Sequence, residues 1–357
     1  MSKFMNSRYA SLEAYTPGEQ PRDMKYVKLN TNESPYPPAP EVVASVGEKD
    51  TELLRLYPDP TCRDLKRAIA AEYGTCESRV FISNGSDDIL NFAFMAFAEK
   101  GAVFADITYG FNKVVAQLNL TDVRIAPLKD DLSIDPGDYM NADGRLIAIA
   151  NPNAPTGIEL GVDEIRKIAI SNPGSVVMID EAYADFGCAS CFDLAMELPN
   201  VLVVMTCSKS RSLAGARLGF AFGPEELIAD LETIKFSTNP YSINRLTMKA
   251  GIAAFSEESK RYYKDNCRQI AETREKTVKE LKELGFETTD SVSNFIFAKH
   301  PGVSGQKLYE KLKENGVLIR HFTQDRICEY NRITVGSPAE MDIFLKEVKK
   351  IIGEKKR

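Results

Sequence analysis

A single lysine, Lys209, stands between Ser208 and Ser210 directly after the apolar run Val201 to Met205. The apolar run predicts a buried strand, since it is too short for a helix. Arg217 follows eight residues after the lysine, beyond a turn of small residues. A lysine in such a place can form a Schiff base with a carbonyl cofactor, and hydroxyls with an arginine can hold a phosphate. Alone, a Ser-Lys-Ser sequence is more often a solvated loop, so the other residues must decide.

A second candidate anion site lies at Gly85, Ser86 and Asp87. These residues come after the apolar residues 80–82 and before an apolar helix. Backbone amides at a helix N-terminus can bind an anion in this arrangement. Ser86 and Asp87 would equally suit plain helix caps, and the local pattern does not separate the two roles.

A carboxylate and a phenol follow a further buried strand, at Asp180 and Tyr183, and a turn-rich loop with asparagine side chains spans residues 151–157. With Lys209 and Arg217, these are the groups that a pyridoxal phosphate site needs. A carboxylate keeps the pyridine nitrogen protonated, and an amide and a phenol bind the ring oxygen O3′. Burial of the Asp180 carboxylate is costly unless a partner compensates its charge.

The order of predicted elements brings these residues together. Apolar strands alternate with helices, and the strands are predicted at 80–82, 102–105, 123–128, 146–150, 176–179 and 201–205. This alternation predicts an α/β class, with a three-layer α/β/α large domain around a mostly parallel sheet. Ligands of such sheets bind at the carboxyl ends of the strands, where all the candidate residues lie.

Three segments are predicted along the chain. Residues 1–45 form an arm that packs on the small domain, residues 46–245 form the large domain, and residues 246–357 form a smaller α+β domain. The last begins with a long charged helix from about Glu257 to Leu284, and its strands are predicted at 294–298, 317–320 and 332–335. Its tail, from Gly353 to Arg357, is predicted to be a solvated helix end.

Composition disfavours several other functions. The 357 residues carry a net charge of −6, so a broad nucleic-acid-binding surface is not expected. Cys188 and Cys191 form a C-x-x-C pair without a second pair or a nearby histidine, so no metal site is expected. Free thiols, the lack of a signal peptide and the lack of a membrane-spanning apolar run predict a cytoplasmic protein that binds no membrane.

Several motifs occur in a specific order along nearly the whole chain. They are Leu29-Asn30-Thr31-Asn32-Glu33-Ser34-Pro35, Tyr57-Pro58-Asp59-Pro60, Asn-Pro-Asn-Ala-Pro-Thr-Gly at 151–157, Asp180-Glu181-Ala182-Tyr183, and Thr206-Cys207-Ser208-Lys209 followed by Leu-Ala-Gly-Ala-Arg-Leu-Gly at 213–219. In this order they resemble the motifs of the fold type I aminotransferases, and within them of the histidinol-phosphate aminotransferases.

The resemblance implies a role for each matching residue. Lys209 would form the Schiff base with pyridoxal 5′-phosphate and move protons, and Asp180 would pair with the pyridinium. The other implied cofactor-binding residues are Gly85, Ser86, Asp87, Tyr109, Asn153, Tyr183, Thr206, Ser208 and Arg217. Tyr57 of the partner subunit would reach the phosphate, which implies a homodimer with shared active sites. Arg332, Arg320 and Asn32 would bind the substrate.

One position departs from the family pattern. Many aminotransferases have asparagine immediately before Pro-Thr-Gly, where this chain has Ala154. Because alanine cannot hydrogen-bond O3′, Asn153 is assigned to that oxygen instead. Without the resemblance, Tyr109 would equally suit a core aromatic and Arg320 a surface charge.

The reaction that the resemblance implies is transamination of L-histidinol phosphate with 2-oxoglutarate, a step of histidine biosynthesis that gives glutamate. A threonine-phosphate decarboxylase or a broad aromatic or aliphatic aminotransferase would share nearly all these motifs, because the motifs mostly contact the cofactor. A non-catalytic binding protein or regulator domain with the same fold is a further alternative. The intact Lys209 argues against it.

Overall fold

The computed structural model describes residues 2–353, so the predicted tail after Gly353 lies outside the described residues. The strands within this range are β1 (Val27–Lys28), β2 (Val80–Ser83), β3 (Ala102–Ala105), β4 (Val123–Ala126), β5 (Leu146–Ala150), β6 (Val177–Asp180), β7 (Val201–Thr206), β8 (Gly219–Phe222), β9 (Glu287–Thr288), β10 (Phe295–Lys299), β11 (Val317–Leu318), β12 (Arg320–His321) and β13 (Asn331–Thr334).

The α-helices of the same range follow in chain order. They are α1 (Pro40–Ser45), α2 (Glu48–Glu52), α3 (Arg63–Tyr73), α4 (Ser86–Phe97), α5 (Phe111–Leu118), α6 (Val162–Ser171), α7 (Phe192–Glu197), α8 (Glu225–Thr238), α9 (Arg245–Ala254), α10 (Glu257–Glu283), α11 (Gly305–Glu314) and α12 (Pro338–Gly353). The charged helix predicted from Glu257 is α10, which ends one residue earlier than expected.

Seven strands form the large sheet, in the order β2-β8-β7-β6-β5-β3-β4. The strands from β7 to β4 pair in parallel, whereas β8 is antiparallel to both β7 and β2. The predicted α/β class with a mostly parallel sheet is confirmed. The sequence pattern did not indicate β8. It can return beside β7 because an antiparallel neighbour needs no crossover α-helix, and residues 207–218 contain only a three-residue 3₁₀ helix, Ala214–Ala216.

Helices cover both faces of this sheet. Along β7, Val201, Val203 and Met205 pack into one apolar cluster with side chains of α3, α6 and α7. Leu202 and Val204 point the other way and pack into a cluster with α4, α5 and α8. All residues of β7 are buried, as expected for a strand covered on both faces. These two clusters produce the three-layer arrangement.

A second, four-stranded sheet has the order β12-β13-β10-β9, and its pairs are antiparallel. The segment Val317–Arg320, predicted as one strand, is divided in the structure. β11 pairs in parallel with β1 of the N-terminal segment, and β12 pairs with β13. The chain therefore passes from one sheet to another at Ile319, which a continuous apolar pattern does not reveal.

The N-terminal segment is held beside the second sheet. Leu29 donates its N–H to the Leu318 carbonyl at 2.8 Å and accepts the N–H of Thr334 at 2.9 Å. Its side chain packs in the apolar cluster formed by β10, β13, α11 and α12. The three segment boundaries remain predictions. Among residues 2–353, no helix has the length and apolar character needed to cross a membrane.

Candidate active site

A cavity of about 610 Å³ opens at the carboxyl ends of β5, β6 and β7. Its walls come from the N-terminal segment, from the ends of the large-sheet strands and from the segment between β12 and β13. The predicted site residues that line it are Asn32, Ser86, Asp87, Tyr109, Asp180, Tyr183, Thr206, Ser208, Lys209, Arg217, Arg320 and Arg332. The structure therefore brings most of the predicted residues to one place.

Lys209 lies in a tightly bonded turn after β7. The Thr206 hydroxyl accepts the N–H of Ser208 at 3.1 Å and donates to the Ser208 hydroxyl at 2.9 Å. The Lys209 ammonium donates to the carbonyl of Thr31 at 3.1 Å. Burial, followed by the nearby charge of Arg332, lowers the pKa of Lys209 to about 8. About a tenth of this lysine is therefore a neutral nucleophile at pH 7, far more than for an ordinary lysine.

Asp180 is the last residue of β6, and its carboxylate is buried. Its oxygen Oδ1 accepts the N–H of Ala182 at 3.1 Å. In the part of the chain that the structure describes, no cationic side chain forms an ion pair with it. Burial raises its pKa to about 7. A buried carboxylate without a cation is costly, so this site favours a ligand that brings a positive or proton-bearing group.

The hydroxyl of Tyr183 is hydrogen-bonded by the N-terminal segment. Asn32 donates its side-chain amide to this hydroxyl at 3.0 Å. Asn32 is itself fixed by Thr334, whose hydroxyl accepts the Asn32 N–H at 2.9 Å. The Tyr183 ring packs edge-to-face on Phe295, with 5.0 Å between the ring centroids. Burial raises the pKa of Tyr183, so the phenol stays protonated at neutral pH.

The turn between β2 and α4 forms a cradle for an anion. Gly85 has φ +85°, and a Cβ there would lie 2.5 Å from Nη2 of Arg217. Gly219 of β8 is equally restricted, because a Cβ would lie 2.4 Å from the backbone nitrogen of Ser86. Only glycine at both positions lets the guanidinium and β8 approach the first amides of α4 so closely. An arginine beside a helix N-terminus is suited to a phosphate group.

Two arginines face each other at the other end of the cavity. Arg320 of β12 is directly opposite Arg332 of β13 in the antiparallel pair. Arg332 donates to the Asn30 carbonyl at 3.1 Å, and its guanidinium lies 5.4 Å from the ring centroid of Phe295. No carboxylate pairs with either arginine among residues 2–353. Like charges directly opposite in a sheet are destabilising, which favours an anion between them.

The chain matches a sequence family over most of its length. The family described as "Aminotransferase class I and II" matches residues 24–348. The chain belongs to this family.

Two relatives of this aminotransferase are similar over nearly their full length. A histidinol-phosphate aminotransferase from Brachyspira hyodysenteriae is 50% identical over 356 residues, which cover 99% of both chains. Another from Clostridium acetobutylicum is 46% identical over 355 residues, covering 99% of this chain and 100% of that protein. The crystal structure of histidinol-phosphate aminotransferase from Sinorhizobium meliloti in complex with pyridoxal-5′-phosphate has a TM-score of 0.83, 23% identity and 92% coverage of each chain. The structural likeness shows a common fold.

Asn153, by contrast, does not line the cavity of the aminotransferase. Its side-chain nitrogen donates to the carbonyl of Ile107 at 3.0 Å and to the hydroxyl of Thr156 at 3.2 Å. The neighbouring Ala154 and Pro155 lie on the cavity wall instead. The turn thus directs the asparagine into the protein, away from the position that the sequence assigned to it.

Tyr57 also lies away from the cavity of the chain that carries it. Its side chain is 78% exposed and stacks on Tyr241, with ring centroids 4.5 Å apart. Its carbonyl accepts a hydrogen bond from Arg245 at 3.1 Å. This exposure leaves the side chain accessible to another subunit, and that contact stays a prediction.

Besides the predicted Asn32, the N-terminal segment contributes Tyr15 and Thr31 to the cavity of the aminotransferase, and the sequence did not indicate these two. Tyr15 lines the cavity, and its ring lies edge-on to Tyr109 with 6.1 Å between centroids. Thr31 contributes its carbonyl to Lys209. Tyr15 precedes Thr16-Pro17-Gly18, a turn signal that indicates a bend but not what the bend contacts. A backbone carbonyl leaves no signal in the sequence.

A second cavity, of about 550 Å³, lies between α5, β4 and residues 8–12 of the N-terminal segment. Tyr109 is the predicted site residue that lines it, and its wall contains neither Lys209 nor Asp180. The groups needed for the chemistry of an aminotransferase therefore converge on the first cavity. In residues 2–353, no group of three histidine, cysteine or acidic side chains is placed to hold a metal ion.

Proposed function

We propose that this aminotransferase transfers the amino group between L-histidinol phosphate and 2-oxoglutarate, with pyridoxal phosphate as cofactor. The observation that carries the proposal is the opposed pair Arg320 and Arg332 in the cavity that contains Lys209. Two arginines without carboxylate partners suit a phosphate dianion better than a single carboxylate. The names of the relatives that are 46–50% identical support the same substrate.

The residues of the cavity fit pyridoxal phosphate. Asp180 offers a buried carboxylate that lacks a cation, which suits the protonated nitrogen of the cofactor ring. Arg217 and the first amides of α4 suit its phosphate, with the hydroxyls of Thr206 and Ser208 at the end of β7 on the same wall. Lys209 provides the amine between these two ends.

When bound there, pyridoxal phosphate supplies an aldehyde that links to an amine and a ring that takes up the electron pair released at the substrate α-carbon. Lys209 then acts as the general base that removes the proton from the substrate α-carbon and as the general acid that delivers a proton to the carbon of the former aldehyde. Its pKa of about 8 suits both directions of proton transfer near neutral pH. The Thr31 carbonyl orients the lysine nitrogen on the side of the cavity that faces the N-terminal segment.

For the ring oxygen O3′, we assign Tyr183 alone in place of the pair Tyr183 and Asn153. Asn153 is turned into the protein, whereas the Tyr183 hydroxyl lines the cavity and is oriented by Asn32. Asn32 therefore acts through Tyr183 as well as lining the substrate space. Because Asn32 fixes the Tyr183 hydroxyl, this donor keeps its direction without an entropic cost at each turnover.

The homodimer with shared active sites remains part of the proposal. Tyr57 and Tyr241 form an exposed stacked pair, and the adjoining Leu53, Leu54 and Leu56 are also exposed. A cluster of exposed apolar side chains favours burial against another protein surface. Sedimentation of the purified protein as a dimer would agree with this assignment, and a stable active monomer would contradict it.

The substrate assignment is tested by a panel of amino donors with the cofactor-loaded protein. L-histidinol phosphate should be turned over with 2-oxoglutarate, and L-histidinol, which lacks the phosphate, is the matched control. Loss of contact with two arginines should lower kcat/KM for the control by about 100-fold or more. Release of carbon dioxide from threonine phosphate, or faster turnover of aromatic or aliphatic amino acids, would contradict the assignment.

A further inference from the structure

Asp87 places a carboxylate inside the cradle that we assign to the cofactor phosphate. Its oxygen Oδ1 accepts the hydroxyl of Tyr109 at 2.9 Å, and its oxygen Oδ2 accepts Nη2 of Arg217 at 3.2 Å. One carboxylate thus connects Arg217, a predicted phosphate ligand, with Tyr109, a predicted cofactor-binding aromatic residue. Since a carboxylate repels a phosphate, its presence at this position requires a physical reason.

Stabilisation of the helix terminus does not account for it. Asp87 and Asp88 both stand in the first turn of α4, where acidic side chains are favourable. Asp88 by itself already supplies an acidic side chain to this turn. Asp87 lines the cavity instead, and Asp88 does not.

The polar ends of the two partners of Asp87 have few other contacts, although the Tyr109 ring also packs on Tyr15 and Phe111. The Arg217 side chain is 45% exposed, and Asp87 is its ion-pair partner among the described residues. Its guanidinium lies against Gly85, where a Cβ would be 2.5 Å from Nη2. For Tyr109, the bond to Asp87 is the hydrogen bond that the structure gives its hydroxyl. Loss of the carboxylate would free the exposed guanidinium to adopt other rotamers and would leave the Tyr109 hydroxyl without the acceptor that fixes the tilt of its ring.

We propose that Asp87 is a positioning residue that presets Tyr109 and Arg217 for the cofactor. Each of its two oxygens holds one partner, so the aromatic ring and the guanidinium have a defined relative position before the cofactor binds. The incoming phosphate takes over Arg217, while Tyr109 stays on the other oxygen. The inference rests on the proposed cofactor site, but not on the identity of the substrate.

The proposal predicts opposite effects on two ligands of the apoprotein. Inorganic phosphate needs Arg217 and the amides of α4, so removal of the competing carboxylate should tighten its binding. Pyridoxal phosphate also needs the ring of Tyr109 in place, so the same change should weaken its binding. A general loss of structure would weaken the binding of both ligands, and removal of a repelling charge alone would tighten the binding of both.

The experiment uses Asp87→Asn in the cofactor-free full chain, with Asp88→Asn as the matched control. The control removes the same charge from the same helical turn without touching Tyr109 or Arg217. Absorbance titration with pyridoxal phosphate should show about tenfold weaker binding for Asp87→Asn, as for loss of a charge-assisted hydrogen bond. Competition by inorganic phosphate should become a few-fold stronger. The control should not show weaker cofactor binding, and its affinities for the two ligands should not change in opposite directions.

Tyr109→Phe provides an independent check, because it removes only the hydroxyl that Asp87 holds. It should weaken cofactor binding too. The double variant should bind the cofactor no more weakly than the more affected single variant does. If Asp87→Asn binds pyridoxal phosphate as tightly as Asp88→Asn does, or if the effects of Asp87→Asn and Tyr109→Phe simply multiply, the proposal is overturned. These binding measurements stay decisive even if the protein does not accept histidinol phosphate.

Discussion

The side-chain amide of Asn32 donates a 3.0 Å hydrogen bond to the hydroxyl of Tyr183. The side-chain oxygen Oδ1 of Asn32 accepts the hydroxyl of Thr334 at 3.0 Å. The backbone carbonyl of Asn32 accepts the side-chain amide of Asn294, also at 3.0 Å. One buried residue of the N-terminal segment therefore connects the large sheet with the second sheet at the cavity wall.

Replacement of Asn32 should impair both stability and turnover. Asn32→Ala removes the donor to Tyr183 and leaves the Thr334 hydroxyl without its acceptor, at a cost of about 1–3 kcal/mol. It also leaves alanine at φ 56°, in the left-handed region that asparagine tolerates better. We expect a lower melting temperature and about tenfold lower kcat with histidinol phosphate.

Asn32→Gly separates the two causes. Glycine adopts the left-handed backbone freely but still lacks the amide. It should therefore recover part of the melting temperature lost in Asn32→Ala and none of the kcat. Parent-like kcat in both variants would show that the Tyr183 hydroxyl needs no support from Asn32.

Asp180→Asn should separate activity from apoprotein stability. The folded-state pKa of Asp180, about 7, lies above its ordinary value near 4. The folded apoprotein therefore binds more protons than the unfolded chain between these values, and Asp180 lowers stability as the pH rises through this window. The variant should lack this loss.

Melting curves of the apoprotein at pH 5 and pH 8 test the stability effect. At pH 8 the Asp180→Asn variant should melt a few degrees above the parent, and the difference should shrink at pH 5. With cofactor, kcat should fall by about two orders of magnitude, because an amide does not keep the ring nitrogen protonated. Near-parent kcat would show that Asp180 has only a structural role.

The rate at which the cofactor attaches to the apoprotein should increase with pH. The neutral form of Lys209 is the nucleophile, and burial lowers its pKa to about 8. The rate should therefore rise through a midpoint near pH 8 and level off above it. Arg332 is the second cause of the lowered pKa, so Arg332→Gln should move the midpoint to higher pH.

Stopped-flow absorbance with pyridoxal phosphate measures this profile. Reduction of the loaded protein with borohydride should attach the cofactor to Lys209, as read by mass spectrometry of the peptides. Lys209→Ala should abolish the attachment, whereas Lys276→Ala, on the exposed side of α10, should not. A midpoint that is the same in the parent and in Arg332→Gln would contradict the charge coupling.

The site at the strand ends was largely predictable, for reasons that the structure makes clear. β6 and β7 are adjacent parallel strands, so Asp180 and the Lys209 turn had to reach the same edge of the sheet. The alternation of apolar strands and helices is enough to predict such neighbours. It does not predict β8, whose antiparallel return brings Arg217 and Gly219 beside the first turn of α4.

Apart from Asn32, the contacts made by the N-terminal segment could not be predicted, because they depend on how that segment crosses the cavity. Tyr15 and Thr31 lie on either side of β1, and the pairing of β1 with β11 holds this segment beside the site. Asn153 shows a different limit. The motif identifies its loop, but the path of the turn decides whether Asn153 or Ala154 faces the cavity.

Arg320→Gln should weaken binding of the phosphorylated substrate and leave the cofactor unaffected. Arg320 lies opposite Arg332 and has no carboxylate partner among residues 2–353. We expect KM for histidinol phosphate to rise by about 10- to 100-fold, because one charged hydrogen-bonding partner is lost. The apoprotein should be at least as stable as the parent, since a like-charge repulsion is removed. Unchanged KM would assign Arg320 to the surface.

Arg326 connects the segment that carries the arginine pair to the large sheet. It lies between β12 and β13, and it donates to the carboxylate of Asp106 at 2.6 Å and to the carbonyls of Leu128 and Lys129 at 2.9 and 3.0 Å. The other oxygen of Asp106 accepts the N–H of Ile107 at 2.9 Å, at the start of the loop that leads to Tyr109. This ion pair therefore sets the position of the substrate end of the cavity relative to the cofactor end.

Arg326→Gln should raise KM for histidinol phosphate several-fold with little change in kcat, because the arginine pair loses its fixed distance from Lys209. Titration of the apoprotein with pyridoxal phosphate should give the parent affinity, since Arg326 lies outside the cofactor site. Arg326→Lys keeps the charge but loses the fork that reaches three acceptors, so it should restore KM only in part. If cofactor affinity weakened by the same factor by which KM rises, the ion pair would instead support the large sheet as a whole.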